Sequence, residues 1–207
     1  MMNLKILMMG CMMCLPVLSQ AQKESPADNE VVRAIMARRS VRKYLDKPVE
    51  HEKLALIAKC GIHAPNAMNQ QPWIVRVVEN ADFIQGTTDI FRKVNPEQVK
   101  RDPNFRNMYR NAPNIIVVAV PKDNKFGQVN AGLMGENMML AAQSMGLGTC
   151  CLGSPAHFLQ TQDACRPYVK QLNIPADYEI CYILAVGYPD ETPAAKPRDE
   201  GKIEYIK

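Results

Sequence analysis

Apolar residues recur at helical spacing in four parts of the chain and so predict four helices. These are residues 29–37, a segment around residues 54–61, residues 126–145 and residues 157–172. Asp28 is the N-cap predicted for the first helix, and the run Gly146-Leu147-Gly148 ends the third. The third pattern is the longest, and its apolar residues surround much of the helix circumference. It therefore predicts a central buried helix.

Three short apolar runs, rich in β-branched residues, predict strands. They cover residues 73–78, 114–120 and 179–187. Residues 64–72 are polar and rich in turn formers, which predicts a loop, whereas residues 81–112 are too mixed to predict any element. Because the chain shows neither a repeat nor a linker, the pattern indicates a single α+β domain over residues 22–207.

The first 21 residues follow a different pattern. A short basic start, residues 1–5, precedes the uncharged residues 6–18, and Ser19-Gln20-Ala21 comes next. This order is typical of a secretory signal peptide cleaved after Ala21, and the apolar run is shorter than a typical membrane-spanning helix. We therefore expect residues 1–21 to be a signal peptide and the protein to be exported, to the periplasm, with no stable membrane span after processing. A buried N-terminal helix is one alternative, and a lipoprotein attached at Cys11 is another.

Composition then narrows the class of protein. The chain has 207 residues, 47% of them hydrophobic, and its formal net charge is +4. That apolar content is enough for a core without disulfides, and the charge is too small to indicate nucleic acid as the main partner. Five cysteines remain outside the predicted signal peptide, and an odd number cannot pair completely within one chain. The three histidines lack metal-ligand spacing, so we expect no metal, and no dinucleotide-binding or P-loop motif is present.

A dense basic segment follows the first predicted helix directly. Arg38, Arg39, Ser40 and Arg42 combine a hydroxyl with guanidinium groups, which clamp phosphate in a bidentate manner. In an extended backbone, Arg38, Ser40 and Arg42 alternate onto one side. The segment is therefore a candidate anion site, and a solvated basic stretch is the alternative.

Two further segments carry polar or cationic groups. Residues 65–73 (PNAMNQQPW) include carboxamides, which both donate and accept hydrogen bonds as the edge of a heterocycle requires. A turn held by Asx hydrogen bonds is the alternative there. In Lys196-Pro197-Arg198 the proline favours an extended backbone, so that both cations can meet one phosphate. Together the three segments indicate a flat, anionic ligand with polar edges.

Four motifs, in order along the chain, are similar to those of the nitroreductase family of FMN-dependent oxidoreductases. Residues 37–42 (ARRSVR) resemble its opening motif, and residues 64–73 (APNAMNQQPW) resemble its A-P-S-x-x-N-x-Q-P-W loop, with Asn66 in place of the more usual serine. Residues 146–153 (GLGTCCLG) resemble the turn that passes the flavin ring. Residues 187–189 (GYP) and 196–198 (KPR) resemble the family's C-terminal G-Y-P and K-x-R.

The resemblance implies a homodimeric α+β sandwich in which a mainly antiparallel sheet is flanked by helices and FMN lies at the subunit interface. It places the Gly153 N–H near the flavin N5 and makes Arg42 the candidate for the N1–C2=O edge. The implied FMN-binding residues are Arg38, Arg39, Ser40, Arg42, Lys196 and Arg198 from one subunit, Pro65, Asn66 and Asn69 from the other, and Cys151, Leu152 and Gly153 along the ring.

The implied activity is ping-pong hydride transfer through flavin N5, from NAD(P)H to small electron-poor acceptors such as nitroaromatics or quinones. No side chain need act as a nucleophile, because the cofactor carries the chemistry. One alternative is a flavoenzyme of the same fold with other chemistry, such as reductive dehalogenation. Another is a non-catalytic, exported flavin-binding protein. Export leaves the physiological electron donor open, because NAD(P)H is not expected outside the cytoplasm. We expect residues 81–111 to cover the active site and to set its specificity, although their pattern assigns no role to a single residue.

Overall fold

The computed structural model describes residues 29–207, and the predicted signal peptide and Asp28 lie outside that range. The helices of the described part are α1 (Glu30–Ala37), α2 (His51–Ile62), α3 (Ala81–Val94), α4 (Pro96–Lys100), α5 (Gly127–Ser144), α6 (Ser154–Thr161) and α7 (Arg166–Gln171). The strands are β1 (Ile74–Val78), β2 (Asn114–Pro121), β3 (Gly148–Leu152) and β4 (Tyr178–Gly187). Short 3-10 turns at Ala67–Asn69, Asp163–Cys165 and Glu200–Lys202 complete the regular structure.

The four strands form one antiparallel sheet in the order β1-β2-β4-β3. Strands β2 and β4 lie in the middle and are covered on both faces, which explains why their sequences are almost continuously apolar. Val118 pairs with Tyr182 and Ala119 pairs with Ile180, so Cys181 is an extra residue in β4 and forms a bulge. Strand β3 is an edge strand, and it is the strand that carries the implied ring contacts.

Successive side chains of the central strands point to opposite faces of the sheet, and this alternation divides the core into two layers. Helices α3 and α6 cover one face of the sheet, where Ile115, Val117, Ile183 and Ala185 pack with Phe83, Tyr109, Phe158 and Leu159. Helices α2 and α5 cover the other face, where Ile116, Val118, Leu184 and Val186 pack with Leu54, Ile57, Met134 and Met138. The predicted α+β sandwich with a mainly antiparallel sheet is therefore confirmed.

Most of the predicted elements are present, and the differences have local causes. The helix predicted over residues 157–172 is wrong, because Gln162 is extended (ψ 114°) and separates α6 from α7. Pro167, which has no N–H to donate, then sits in the first turn of α7. The first helix is capped by Asn29, whose side chain accepts a hydrogen bond from the Val31 N–H. Strand β3 was not predicted, and the unassigned residues 81–112 contain α3 and α4.

Candidate functional site

The basic segment leaves α1 in an extended conformation and runs beside β3. Arg38 is already extended (φ −58°, ψ 136°). Ser40 forms a parallel bridge with Thr149, and the Val41 N–H donates to the Thr149 oxygen at 2.9 Å. The backbone of this segment is therefore extended from Arg38 to Val41.

A second short ladder holds the continuation of the same segment. The Leu45 N–H donates to the Tyr188 oxygen, and the Asp190 N–H donates to the Lys43 oxygen, both at 2.9 Å. The Arg42 N–H donates to the Glu191 carboxylate at 2.5 Å. Residues 38–45 are thus fixed by β3 at one end and by residues 188–191 at the other.

Tyr188 anchors this second ladder to the start of α2. Its hydroxyl donates to Glu50 Oε2 at 2.5 Å and accepts from Lys53 Nζ at 2.8 Å, and Lys47 Nζ lies 4.2 Å from the ring centroid. The hydrogen bond from Tyr188 is the largest of the causes that lower the pKa of Glu50 to about 2. The tyrosine of the G-Y-P motif therefore connects the C-terminal segment to the helical layer.

A cavity of about 1250 Å³ opens beside the basic segment. One wall consists of residues 42–46 with Asp190 and Glu191, and a second consists of residues 150–155. The third wall consists of residues 101–108, together with Phe91 of α3, Gln98 of α4, and Arg110 and Asn111 before β2. Phe91 and Phe105 stack at 5.9 Å between ring centroids, and both line the cavity. Its volume exceeds the roughly 300–1000 Å³ of typical ligand sites, so it can hold a large cofactor with a second molecule.

Four of the sequence-predicted residues line this cavity, namely Arg42, Cys151, Leu152 and Gly153. The Arg42 guanidinium donates to the Ser40 oxygen at 3.0 Å. Arg38 and Arg39 precede Arg42 but do not line the cavity: Arg38 pairs with Glu136 of α5 at 3.2 Å, and Arg39 donates to backbone oxygens of α1 and of Arg38. The structure thus brings together the β3 residues and the end of the basic segment.

The other predicted residues lie apart from the cavity of this single chain. In the loop at residues 64–72, Asn66 Oδ1 accepts from the Gln71 N–H at 2.7 Å, and Asn69 has a left-handed backbone (φ 53°); Pro65 and Asn69 are exposed. Lys196 and Arg198 are also exposed, and the Arg198 guanidinium donates only to the backbone oxygens of Lys196 and Pro197 within residues 29–207. Their assignment to FMN stays a prediction.

The cysteines beside the cavity are protonated thiols at neutral pH. Burial raises the pKa of the Cys150 thiol, and the positive charges of Arg42 and Arg110 partly offset this increase. Cys151 is exposed in the single chain, but the protein around its thiol displaces part of the water, and this desolvation, with neighbouring Cys150, raises its pKa to about 11. Because the thiolate is the nucleophilic form, neither residue is suited to attack a bound ligand.

Residues 104–111 contribute to the third wall, and no single residue of this wall was predicted from the sequence, where residues 81–111 were expected only as a segment that covers the active site. Asn111 Oδ1 accepts from the N–H groups of Arg106 and Asn107, at 2.8 and 3.0 Å. Arg106 also donates to the Tyr44 oxygen at 2.7 Å and pairs with Asp46 at 3.2 Å, so it joins this wall to the basic segment. The signal available was the recurrence of arginine in an otherwise polar stretch just before a strand.

A second, smaller cavity of about 380 Å³ lies between α5 and the β3–β4 side of the sheet. Gly132, Gly135 and Met139 face it from α5, and Cys151, Cys181 and Tyr182 face it from the strands. An added Cβ at Gly135 would lie 2.6 Å from the Tyr182 hydroxyl, so glycine is required for this close approach. Cys151 therefore borders both cavities.

Comparison with known proteins identifies the class. A family model described as the nitroreductase family matches residues 35–188, and the chain belongs to that family. A nitroreductase of Desulfitobacterium hafniense, solved with bound FMN, has the same fold with a TM-score of 0.77 and 24% identity, covering 86% of this chain and 99% of that one.

Two relatives of named activity are similar over most of their length. The NADPH-flavin oxidoreductase of Vibrio harveyi is 26% identical over 82% of this chain and 70% of its own. The iodotyrosine deiodinase of Thermotoga neapolitana is 26% identical over 81% of this chain and 93% of its own. Within residues 29–207, no helix has both the length and the apolar character needed to cross a membrane.

Proposed function

We propose that this protein is an FMN-dependent oxidoreductase that reduces small electron-poor acceptors such as nitroaromatics and quinones. One observation carries the proposal: the fold joins the end of the basic segment, the end of β3 and the wall before β2 around a single large cavity. Family membership supports flavin-dependent redox chemistry, and the relative from Vibrio harveyi is named for it.

The residues around the cavity fit FMN. Arg42 lines it and offers a guanidinium group to an anionic cofactor, and Arg38 and Arg39 lie on the same segment just outside the lining. Gly153 borders the cavity without a side chain, and an added Cβ would meet nothing within 4 Å. A flat ring can therefore lie close to the backbone at this position.

The protein's own contribution is position and charge, because bound FMN itself supplies the hydride chemistry. Arg42 is our candidate for the N1–C2=O edge, where a cation stabilises negative charge. Its N–H is held by Glu191 and its guanidinium by the Ser40 oxygen, so the group is preorganised. With protonated thiols at Cys150 and Cys151, no side chain on the cavity is required as a nucleophile.

We also propose that a second copy of the chain completes the site. Pro65, Asn66 and Asn69 lie in an exposed loop away from the cavity of their own chain, which agrees with a role toward the cofactor of a partner subunit. Lys196 and Arg198 lie in an exposed segment, where they are accessible to a phosphate.

A second candidate function is reductive dehalogenation. The observation that favours it is the similarity to the iodotyrosine deiodinase of Thermotoga neapolitana over 93% of that protein. Both activities require a flavin at the same cavity. Assays with nitroaromatic, quinone and halogenated phenol acceptors on one enzyme preparation separate them.

Export is proposed from the first 21 residues, with the mature chain beginning at Gln22 and located in the periplasm. In that compartment a quinol or a protein is the more suitable donor, and NAD(P)H serves as the donor in vitro. N-terminal sequencing after cell fractionation tests the first part, and an intact Met1 in the cytosolic fraction rejects it.

The decisive experiment is the absorbance spectrum of the purified mature protein before and after anaerobic addition of NADH, NADPH or dithionite. We expect a yellow protein that releases FMN on denaturation and is bleached by a nicotinamide. A colourless protein that takes up no added FMN would refute the proposal. A flavoprotein reduced only by dithionite would instead favour dehalogenation or a non-catalytic role.

A further inference from the structure

Two arginines on the third wall of the cavity have no partner inside the described structure. Arg101 and Arg110 both line the cavity, and neither guanidinium makes a hydrogen bond or ion pair within residues 29–207. Arg106, between them in sequence, differs because it pairs with Asp46 and donates to the Tyr44 oxygen. Arg101 and Arg110 therefore present unused donors to the cavity.

The backbone at Arg110 is fixed in an unusual conformation. Its φ is +60°, and that of Asn111 is +64°, a left-handed region that bulky residues rarely occupy. The surrounding loop holds this geometry: Asn111 Nδ2 donates to the Asn104 oxygen at 2.8 Å, and Asn107 Nδ2 donates to the Ala112 oxygen at 3.0 Å. Such strain persists where the surroundings impose it, often at ligand sites.

Arg110 acts electrostatically on the same part of the site as Arg42. Both guanidinium groups lower the pKa of the Cys150 thiol against the larger effect of burial. Cys150 belongs to β3, so the third wall and the basic segment both direct positive charge toward this strand.

Most carboxylates on the cavity are already engaged. Asp46 pairs with Arg106, Glu191 accepts from the Arg42 N–H, and Asp102 accepts from the Asn104 N–H. Only the side chain of Asp190 has no such partner among the described residues that line the cavity. Five cationic side chains line the cavity against four carboxylates, and the side chains of Lys43, Arg101 and Arg110 make no hydrogen bond or ion pair within residues 29–207. The balance of charge on the lining therefore favours an anionic ligand.

The stacked rings of Phe91 and Phe105 add a flat apolar surface to the same wall.

We propose that Arg110, with Arg101, binds the carboxylate of an aromatic acid, so that the acceptors preferred at this site are acidic aromatics rather than neutral ones. Guanidinium and carboxylate groups match in bidentate geometry. This inference rests on the proposed FMN-dependent reduction and specifies its substrate class.

The test compares one acceptor with and without its charge. The FMN-loaded enzyme is assayed with 4-nitrobenzoate and with its neutral methyl ester. Arg110→Asn removes the charge and keeps a residue that tolerates a left-handed backbone, and Arg110→Lys keeps the charge. Lys100→Gln is the matched control, because Lys100 adjoins Arg101, pairs with Glu97 and does not line the cavity.

We expect Arg110→Asn to lower kcat/KM for the acid about tenfold, as for the loss of a charged hydrogen bond, and to leave the ester within twofold. Arg110→Lys should retain part of the preference, and Lys100→Gln all of it. Calorimetric titration with benzoate, which carries no nitro group, should show the same tenfold weakening in Arg110→Asn, while FMN affinity is unchanged.

Equal losses for acid and ester, or no loss for either, would overturn the inference. Weakened FMN binding in Arg110→Asn would also overturn it and assign the guanidinium to the cofactor. If Arg110→Asn does not fold, Arg101→Gln takes its place, because the Arg101 backbone is ordinary (φ −74°, ψ −17°). A wild-type protein that binds no FMN, or reduces neither acceptor, refutes the proposed function and this inference with it.

Discussion

Arg38 and Arg198 carry the same implied role toward FMN but are held very differently. Arg38 is partly buried and pairs with Glu136 at 3.2 Å, whereas Arg198 is exposed and donates only to nearby backbone. Replacing either with Ala should weaken FMN binding tenfold to a hundredfold, because each change removes charge-assisted hydrogen bonds worth about 1.5–3 kcal/mol. Titration of the apoprotein with FMN measures the affinity.

Arg166→Ala is the control for both variants, since Arg166 pairs with Asp163 and lies outside the cavity. Arg38→Ala also leaves Glu136 without its partner, so thermal unfolding must accompany the titration to separate lost binding from lost folding. An unchanged FMN affinity in both variants would place the phosphate elsewhere.

One hydroxyl connects the second ladder to the start of α2, which makes this connection testable at the level of an element. Tyr188→Phe removes the bonds to Glu50 and Lys53, so the pKa of Glu50 should rise from about 2 toward its ordinary value of 4.5. Residues 188–191 should then hold Arg42 less firmly, and FMN affinity should fall. Carboxyl titration by NMR reports the pKa, and Tyr205→Phe, in the exposed C-terminal segment, is the control.

The lowered pKa of Glu50 also determines how the stability of the fold changes with pH. A depressed carboxyl pKa contributes stability above pH 4.5, and that contribution is lost as the pH falls toward 2. Wild type should therefore lose stability across this window more steeply than Tyr188→Phe. Identical acid denaturation curves would show that the Tyr188–Glu50 bond does not stabilise the fold.

Contact between β3 and the basic segment is tight enough to be tested with a single methyl group. An added Cβ at Gly148 would lie 2.8 Å from the Cβ of Val41. Gly148→Ala should therefore push the two segments apart and lower the free energy of unfolding by about 1–3 kcal/mol, with weaker FMN binding. Gly132→Ala, where nothing lies within 4 Å, should not destabilise the chain in urea unfolding.

The elements with long or strongly apolar patterns could be predicted from sequence, and the short ones could not. Strands β2 and β4 bury most of their residues, and the long helix α5 buries seven of its eighteen, so their patterns are clear. Strand β3 has only five residues, and it is defined by its pairing with β4 and its bridge to Ser40. Such pairing depends on residues far away in the chain, which a local pattern does not contain.

Residues of the site likewise differ in how far the sequence predicts them. Arg42 and residues 151–153 could be proposed from the sequence because each belongs to a recognisable motif, and the fold brings them to one cavity. Arg110 and Glu191 were missed because their positions follow from tertiary contacts rather than from a motif. Their roles depend on the left-handed backbone before β2 and on the ladder beside Arg42.

At the scale of the whole molecule, large apolar side chains are exposed on two helices that pack together. Phe126 and Val129, at the start of α5, are 59% and 58% exposed, and Met36 of α1 is 71% exposed. Apolar patches of this kind mark interaction surfaces, and the resemblance implies a second copy of this chain as the partner. We expect a homodimer that persists on dilution.

Val129→Asp places a charge on that surface and should shift the protein toward the monomer, because burying an unpaired carboxylate in an interface is unfavourable. FMN affinity should fall in parallel, since the loop at residues 64–72 of the second copy would no longer reach the cofactor. Val94→Asp is the matched control: Val94 is 49% exposed and ends α3, on the opposite face of the sheet. Light scattering across a concentration series gives the mass. A wild-type monomer that retains FMN would contradict the shared site, because one chain would then be sufficient to hold the cofactor.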